Sequence, residues 1–167
     1  MIETKILFLD IYGVLATDDC YNHKAFMTAI DGVQMLYIWN RSCCAALDLI
    51  LNVTNCKIVL SSDWKIHYGL DEMKTIFEFY NIDHTSLIGF TNRINLRYNN
   101  KMSGAQDLEG SRTEEIKDFI KRHKISNWCA IDDLNLNLQN FVFIQDTSLG
   151  LNEEIMNKII DKLNGKQ

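Results

Sequence analysis

Proline is absent from the 167 residues of this sequence, and the chain has no low-complexity tract or internal repeat. A Pro-rich linker between domains is therefore excluded. No apolar run approaches the ~20 residues of a membrane-spanning helix. The beginning of the chain also lacks a basic segment followed by a long apolar run, which a secretory signal would have. We therefore expect one domain over residues 1–167, located in the cytoplasm and without a membrane partner.

Cysteine pairs with the spacing of a metal or redox site are also missing. The five cysteines are odd in number and none belongs to a C-x-x-C motif, so we expect reduced, buried thiols. The formal net charge of -5 gives the chain no general attraction to nucleic acids. A local exception is the segment 92–101, which contains Arg93, Arg97 and Lys101 and no acidic residue.

Short continuous apolar runs alternate with helical patterns along the chain, and such runs indicate strands that are covered on both faces. The predicted strands are residues 5–9, 57–60, 86–90, 128–131 and 141–145. The predicted helices are residues 42–52, residues 70–80, a helix that starts at the S-x-x-E capping box of residues 111–114, and a helix that starts at Asn152. Residues 16–41 and 91–110 have no clear period and are predicted loops. The alternation predicts a three-layer α/β fold with a mostly parallel sheet.

Polar side chains follow three of the predicted strands. Asp10 follows the first strand, Ser61 and Ser62 follow the second, and Asp132 and Asp133 follow the fourth. Ligands of an open parallel sheet bind beyond the carboxyl ends of its strands. Clustered carboxylates repel one another unless a proton or cation lies between them, and Mg²⁺ prefers oxygen ligands. The clustered aspartates thus indicate a bound Mg²⁺ and a phosphoryl-transfer reaction beyond the strand ends.

Phosphoryl transfer also requires groups that stabilise negative charge. Ser61 can donate a hydrogen bond to a phosphoryl oxygen, and a cation is needed for the charge that develops during transfer. Arg112 is the first candidate for this cation and Lys101 is the second. The capping box would place Arg112 in the first turn of a helix, where a cation is unfavourable. This misfit favours a functional role for Arg112.

The order of these motifs resembles that of the haloacid dehalogenase (HAD) superfamily. The matching segments are "LFLDIYGVL", "IVLSSDWK", "SRTEEIKDFI", "WCAIDDL" and "DTSLGLNEEI", which together extend from about residue 5 to residue 163. The sequence is most similar to the branch of small capless domains associated with RNA-repair proteins and polynucleotide 3'-phosphatases. This resemblance implies a Rossmann-like HAD fold without a large cap domain.

The resemblance also implies a role for each matching residue. Asp10 would be the nucleophile that forms an aspartyl-phosphate. Ser61, or Ser62 in the alternative register, would bind the phosphoryl group, and Arg112 would replace the family's usual lysine. The ligands of Mg²⁺ would be Asp10, the backbone carbonyl of Tyr12, Asp132 and Asp133.

Tyr12 departs from the family pattern, which has a second aspartate at this position as general acid and base. A phenol with a pKa of about 10 can donate a proton to a leaving group, but it is a poor base at neutral pH. We therefore expect slow turnover, a long-lived phospho-enzyme, or the recruitment of Asp18, Asp19 or Asp63. An inactive form of the family's enzyme is a further alternative.

The predicted function is that of a Mg²⁺-dependent phosphatase that acts on a terminal phosphate of a nucleic acid or nucleotide and is impaired or altered by Tyr12. The segment between Asp10 and Ser61 is too short for a full cap domain, so an open site is expected. Arg93, Arg97 and Lys101 would then bind neighbouring phosphates of a nucleic-acid end. The alternatives are a catalytically silent phosphate-binding, metal-binding or interaction module and a nucleotidase for small molecules.

Overall fold

The computed structural model describes residues 4–22, 29–34, 38–94 and 105–165. The strands are β1 (Ile6–Leu9), β2 (Ala29–Ile30), β3 (Val33–Gln34), β4 (Lys57–Leu60), β5 (Leu87–Phe90), β6 (Trp128–Asp132) and β7 (Phe141–Phe143). The helices are α1 (Asp18–Asn22), α2 (Arg41–Thr54), α3 (Leu70–Phe79), α4 (Ala105–His123) and α5 (Glu153–Leu163). Single 3₁₀ turns occupy Asp63–Ile66 and His84–Ser86. None of the helices in these ranges is long and apolar enough to cross a membrane.

The main sheet has five parallel strands in the order β5-β4-β1-β6-β7. The central strand is β1, in which Leu9 lies opposite Leu60 of β4 and Ile131 of β6. The carboxyl ends of these three strands therefore reach the same edge of the sheet. The predicted α/β fold with a mostly parallel sheet is confirmed, and the described part of the chain contains no large cap. Between β1 and β4 it contains α1, the β2–β3 hairpin and α2.

The sheet buries both of its faces, as the continuous apolar runs predict. Successive residues of a strand point to opposite faces, so Leu7 and Leu9 join the larger core, whereas Ile6 and Phe8 join the smaller one. Helices α2, α3 and α5 cover the larger core with residues that include Leu47, Ile50, Met73, Ile76, Phe77, Ile159 and Leu163. Helix α4 covers the smaller core with Ile116, Phe119 and Ile120. The sheet and the helices on its two faces therefore form the three layers.

The predicted start of α4 is wrong. The helix begins at Ala105, so Ser111 lies inside the helix and cannot cap it. Four of the six residues from 105 to 110 are good helix formers, namely Ala105, Gln106, Leu108 and Glu109, and the S-x-x-E pattern is too short to specify a start by itself. Arg112 therefore lies in the helix interior, and the argument from an unfavourable helix dipole fails. At α5 the prediction is confirmed, because the Asn152 side chain accepts a hydrogen bond from the Ile155 N–H at 3.0 Å.

The prediction of loops over residues 16–41 and 91–110 is also partly wrong. Residues 16–41 contain α1, β2 and β3, and residues 91–110 contain the first part of α4. A helix of five residues and strands of two residues are too short to produce a recognisable period. The five cysteines are free thiols, and all except Cys20 are buried.

Gly150 joins the segment before α5 to the loop that follows β1. Its φ is +57°, and an added Cβ would lie 2.6 Å from the carbonyl oxygen of Val14 and 2.8 Å from Cγ2 of Thr17. The Leu151 N–H donates a hydrogen bond to that carbonyl at 2.9 Å. A side chain at position 150 must therefore displace this loop.

We predict that Gly150→Ala lowers the free energy of unfolding by about 3 kcal/mol, through backbone strain and the contact with Val14. The matched control is Gly165→Ala, because Gly165 has a φ of +72° with no atom near its added Cβ. The control should lose about 1 kcal/mol, which is the cost of the backbone conformation alone. Urea denaturation measures both values, and equal losses would show that the contact does not matter.

Candidate active site

Three carboxylates meet at the carboxyl edge of the sheet. Asp10 directly follows β1, Asp132 is the last residue of β6, and Asp133 follows it. Asp10 and Asp132 are each 1% exposed, and Asp133 is half-buried. One carboxylate oxygen from each residue lies within 4.8 Å of the other two. The sequence placed these residues at strand ends, and the pairing of β1 with β6 brings them together.

Arg112 extends from the interior of α4 into this acidic cluster and is itself buried. Its Nη1 lies 3.0 Å from Oδ1 of Asp10 and donates a hydrogen bond of 2.9 Å to Oδ2 of Asp132. Its Nη2 lies 3.6 Å from Oδ1 of Asp63. Of the two predicted cations, Arg112 lies at the acidic cluster, whereas Lys101 is outside the described residues.

Burial sets the ionisation of this cluster. It raises the pKa of Asp10, Asp132 and Asp133 above the usual range, and the nearby Arg112 charge only partly opposes this effect. For Arg112, burial acts against the charged form, but the carboxylates of Asp10 and Asp132 outweigh it and raise its pKa. Arg112 is therefore a permanent cation. Three carboxylates face one guanidinium, so the ionised cluster has excess negative charge.

The donor set of the cluster fits a hard divalent cation such as Mg²⁺. The three ligand candidates supply only carboxylate oxygens, and a further positive charge would balance the excess that Arg112 leaves. Gly13 contributes to this geometry, since its φ is +67° and an added Cβ would lie 2.8 Å from Oδ2 of Asp133. A residue with a side chain at position 13 would push Asp133 away from the cluster. A group of buried aspartates that could bind a metal is thus present.

Two serine hydroxyls lie beside the acidic cluster. Ser61 and Ser62 follow β4 and are both buried. The backbone N–H of Ser61 donates to the Leu9 carbonyl at 2.8 Å, which continues the pairing of β4 with β1. Within the described residues, Oγ of Ser61 is buried without a hydrogen-bond partner. A buried hydroxyl in this state is costly, and a phosphoryl oxygen would satisfy it.

Tyr12 faces the turn that follows β4. The ring of Tyr12 is half-buried, and its centroid lies 5.9 Å from that of Trp64. Trp64 is fully buried and stacks on Tyr68 at 5.1 Å. The side chain at position 12 therefore points towards the turn of residues 63–66, which also carries Asp63.

The other predicted site residues are more scattered. Asp63 is in contact with Arg112, whereas Asp18 accepts a hydrogen bond of 2.8 Å from Thr147 Oγ1, and Asp19 is exposed on α1. Arg93 is exposed beyond β5. Arg97 lies outside the described residues.

A buried polar network beside the site was not predicted from the sequence. Glu115 lies one turn after Arg112 on α4 and forms an ion pair with Lys65. Thr91 Oγ1 donates to Oε2 of Glu115 at 3.1 Å, and the Ile94 N–H donates to Oε1 at 3.0 Å. The spacing of Arg112 and Glu115 indicates a shared helix face, but no sequence pattern reveals their partners. This network joins α4 to the segments that follow β4 and β5.

The parallel sheet with an acidic cluster at its carboxyl edge is the architecture that the sequence resemblance implies for a HAD-type domain. A comparison with protein-family models matches residues 6–156 to the family described as the HAD domain in Swiss Army Knife RNA repair proteins. Because the match spans most of the chain, the chain belongs to this family. The family implies a phosphatase-like role in the context of RNA repair. No curated protein and no solved structure gives a significant match.

We predict that Glu115→Gln destabilises the protein by about 3 kcal/mol, because it leaves the buried Lys65 ammonium without its counter-charge. The double variant Lys65→Met/Glu115→Leu removes both charges and should recover part of this loss, while the Ile94 N–H loses its acceptor. The matched control is Glu114→Gln, since Glu114 is half-exposed and pairs with the exposed Lys117. Chemical denaturation gives the three values. A double variant as unstable as Glu115→Gln would contradict this account.

Proposed function

We propose that this protein is a Mg²⁺-dependent phosphatase that removes a terminal phosphate from a nucleic acid or nucleotide through an aspartyl-phosphate on Asp10. The observation that carries the proposal is the position of Asp10, which shares the Arg112 guanidinium with Asp132 at the carboxyl edge of the sheet. Membership of a family of RNA-repair domains supports the choice of substrate. The single-domain organisation and the cytoplasmic location remain predictions.

In the first step, a carboxylate oxygen of Asp10 attacks the phosphorus, and the bond from phosphorus to the leaving oxygen breaks. Mg²⁺ would be held by Asp10, Asp132, Asp133 and the carbonyl of Tyr12, and it would supply positive charge for the phosphoryl oxygens. Arg112 orients Asp10 and offsets negative charge, while the hydroxyl of Ser61, or of Ser62, donates to the phosphoryl group. The Tyr12 hydroxyl donates a proton to the leaving oxygen.

In the second step, water attacks the phosphorus of the aspartyl-phosphate, and the bond from phosphorus to Asp10 breaks. Asp10 leaves as a carboxylate and inorganic phosphate is formed. The water must lose a proton during this attack, and a phenol at position 12 performs that task poorly at neutral pH. We therefore propose that hydrolysis of the phospho-enzyme limits turnover.

A nucleic-acid end is the preferred substrate because nothing in the described residues covers the acidic edge with a large cap. Arg93 is exposed just beyond β5, near the beginning of the basic segment 92–101. With Arg97 and Lys101 it would bind phosphates next to the terminal one, and such contacts weaken with salt. A terminally phosphorylated oligonucleotide should therefore be a better substrate than a mononucleotide at low salt.

The second candidate is a silent module that binds phosphate or metal without turnover. Tyr12 favours this alternative, since its ring lies against the buried Trp64 at the position of the family's acid and base. Such a module would retain the acidic cluster and Arg112. It would bind Mg²⁺ and a phosphorylated end but would release no phosphate.

Phosphate release tests the first candidate directly. We expect release from an aryl phosphate and from a 3'-phosphorylated oligonucleotide only when Mg²⁺ is present, and complete loss in Asp10→Asn because the nucleophile is removed. The matched control is Asp118→Asn, since Asp118 is a surface carboxylate that pairs with Arg122 on α4. Release that persists in Asp10→Asn, or after chelation of Mg²⁺, would contradict the proposal.

Restoration of the family's aspartate separates the two candidates. If the chain is an impaired enzyme, Tyr12→Asp should raise the rate of phosphate release, because an aspartate is a better base than a phenol at neutral pH. Tyr12→Phe keeps the ring against Trp64 but removes the hydroxyl that protonates the leaving oxygen, so its rate on an oligonucleotide should fall below that of the wild type. Mg²⁺ binding by Tyr12→Asp without any gain in rate would instead support the silent module.

A further inference from the structure

We propose that Asp63 is the general base that activates water for hydrolysis of the phosphorylated Asp10, in place of the aspartate that position 12 lacks. This inference rests on the proposed phosphatase function and assigns a residue to its second step. The family pattern gives this task to position 12, so the assignment is specific to this chain. It follows from three observations about the turn of residues 63–66.

The first observation is the contact of Asp63 with Arg112. The two terminal nitrogens of one guanidinium face different carboxylates, with Nη1 at Asp10 and Nη2 at Asp63. Asp63 and the nucleophile are therefore on either side of one guanidinium group, in contact with its two terminal nitrogens. The side chain of Asp63 is 51% exposed, compared with 2% for that of Asp10. Asp63 can therefore accept a proton from a water that enters from solvent.

The second observation is the direction of the Tyr12 side chain. Its ring packs against Trp64, which is the next residue after Asp63. The side of the site where the family's acid and base would stand is therefore the side on which the turn of residues 63–66 lies. Asp63 is the first residue of this turn, and its carboxylate contacts Arg112.

The third observation is that the position of this turn is fixed. Trp64 is fully buried against Trp39, with ring centroids 5.5 Å apart. Lys65 forms the buried ion pair with Glu115 and donates a hydrogen bond of 2.9 Å to Thr91 Oγ1. Asp63 precedes both anchors on a single 3₁₀ turn. A general base must be held in place to be effective, and these contacts hold its backbone.

The proton transfer balances without another reactant. The water oxygen forms a bond to phosphorus while one of its protons moves to a carboxylate oxygen of Asp63. The bond from phosphorus to the Asp10 oxygen breaks, and its electron pair returns to the Asp10 carboxylate. Asp63 then releases the proton to solvent. The Tyr12 phenolate left by the first step regains its proton from solvent in the same way.

Rapid mixing with an aryl phosphate and Mg²⁺, followed by acid quench and intact-mass detection of the phosphorylated chain, tests this assignment. We expect Asp63→Asn to form the phospho-enzyme at nearly the wild-type rate and to hydrolyse it about 100-fold more slowly. Phospho-enzyme should therefore accumulate. In the background of Tyr12→Asp, which carries its own base, Asp63→Asn should have little effect. The control Asp118→Asn should behave as the wild type.

Other outcomes overturn the assignment. A fall in the rate of phosphorylation without accumulation would show that Asp63 only holds Arg112. Accumulation in Asp18→Asn or Asp19→Asn, with Asp63→Asn unaffected, would assign the base to one of those residues. In both cases the wild type still releases phosphate, so the proposed phosphatase function stands. A wild type that neither becomes phosphorylated nor releases phosphate would overturn that function and this assignment together.

Discussion

The buried Arg112 guanidinium holds Asp10 and Asp132 together at the acidic edge of the sheet. Charged groups that leave water lose several kcal/mol of solvation each, so the pairing must have good geometry. One guanidinium nitrogen serves both carboxylates, at 3.0 and 2.9 Å. This arrangement needs β1 and β6 side by side, and it needs α4 packed against the sheet with Arg112 at its acidic edge. In the fold, β1 is next to β6 and α4 packs on the sheet, so both requirements are met.

The packing of α4 explains how this precision is maintained. Its apolar side contacts the smaller core, and Glu115 joins it to the segments that follow β4 and β5. Arg112 and Glu115 thus anchor one helix to the edge at two points, one in the acidic cluster and one beside it. The turn that carries Asp63 lies between these points. Arg112 and the turn that carries Asp63 are therefore linked to each other through contacts with α4.

The sequence predicts the strand ends well but not the helix that completes the site. Asp10, Ser61 and Asp132 could be placed because each follows an apolar run, and parallel strands share an edge. The predicted start of α4 was wrong because helix-forming residues lie before the local S-x-x-E pattern, and the helix already includes them. The pairing of Lys65 with Glu115 joins residues far apart in the chain, and single-sequence patterns contain no information about such contacts. The direction of the Tyr12 ring could not be predicted either, because it depends on a contact with Trp64, which is distant in the chain.

The central place of β1 in the sheet has a consequence for biosynthesis. Asp10 is made early, but its partners Arg112 and Asp132 are made late, and the strand order places β1 between β4 and β6. A nascent chain that has not yet emerged beyond β6 therefore lacks Asp132 and Asp133, and its β1 is paired only on the β4 side. The acidic cluster can therefore assemble only after β6 has been synthesised. Premature termination before β6 would leave a product without this cluster.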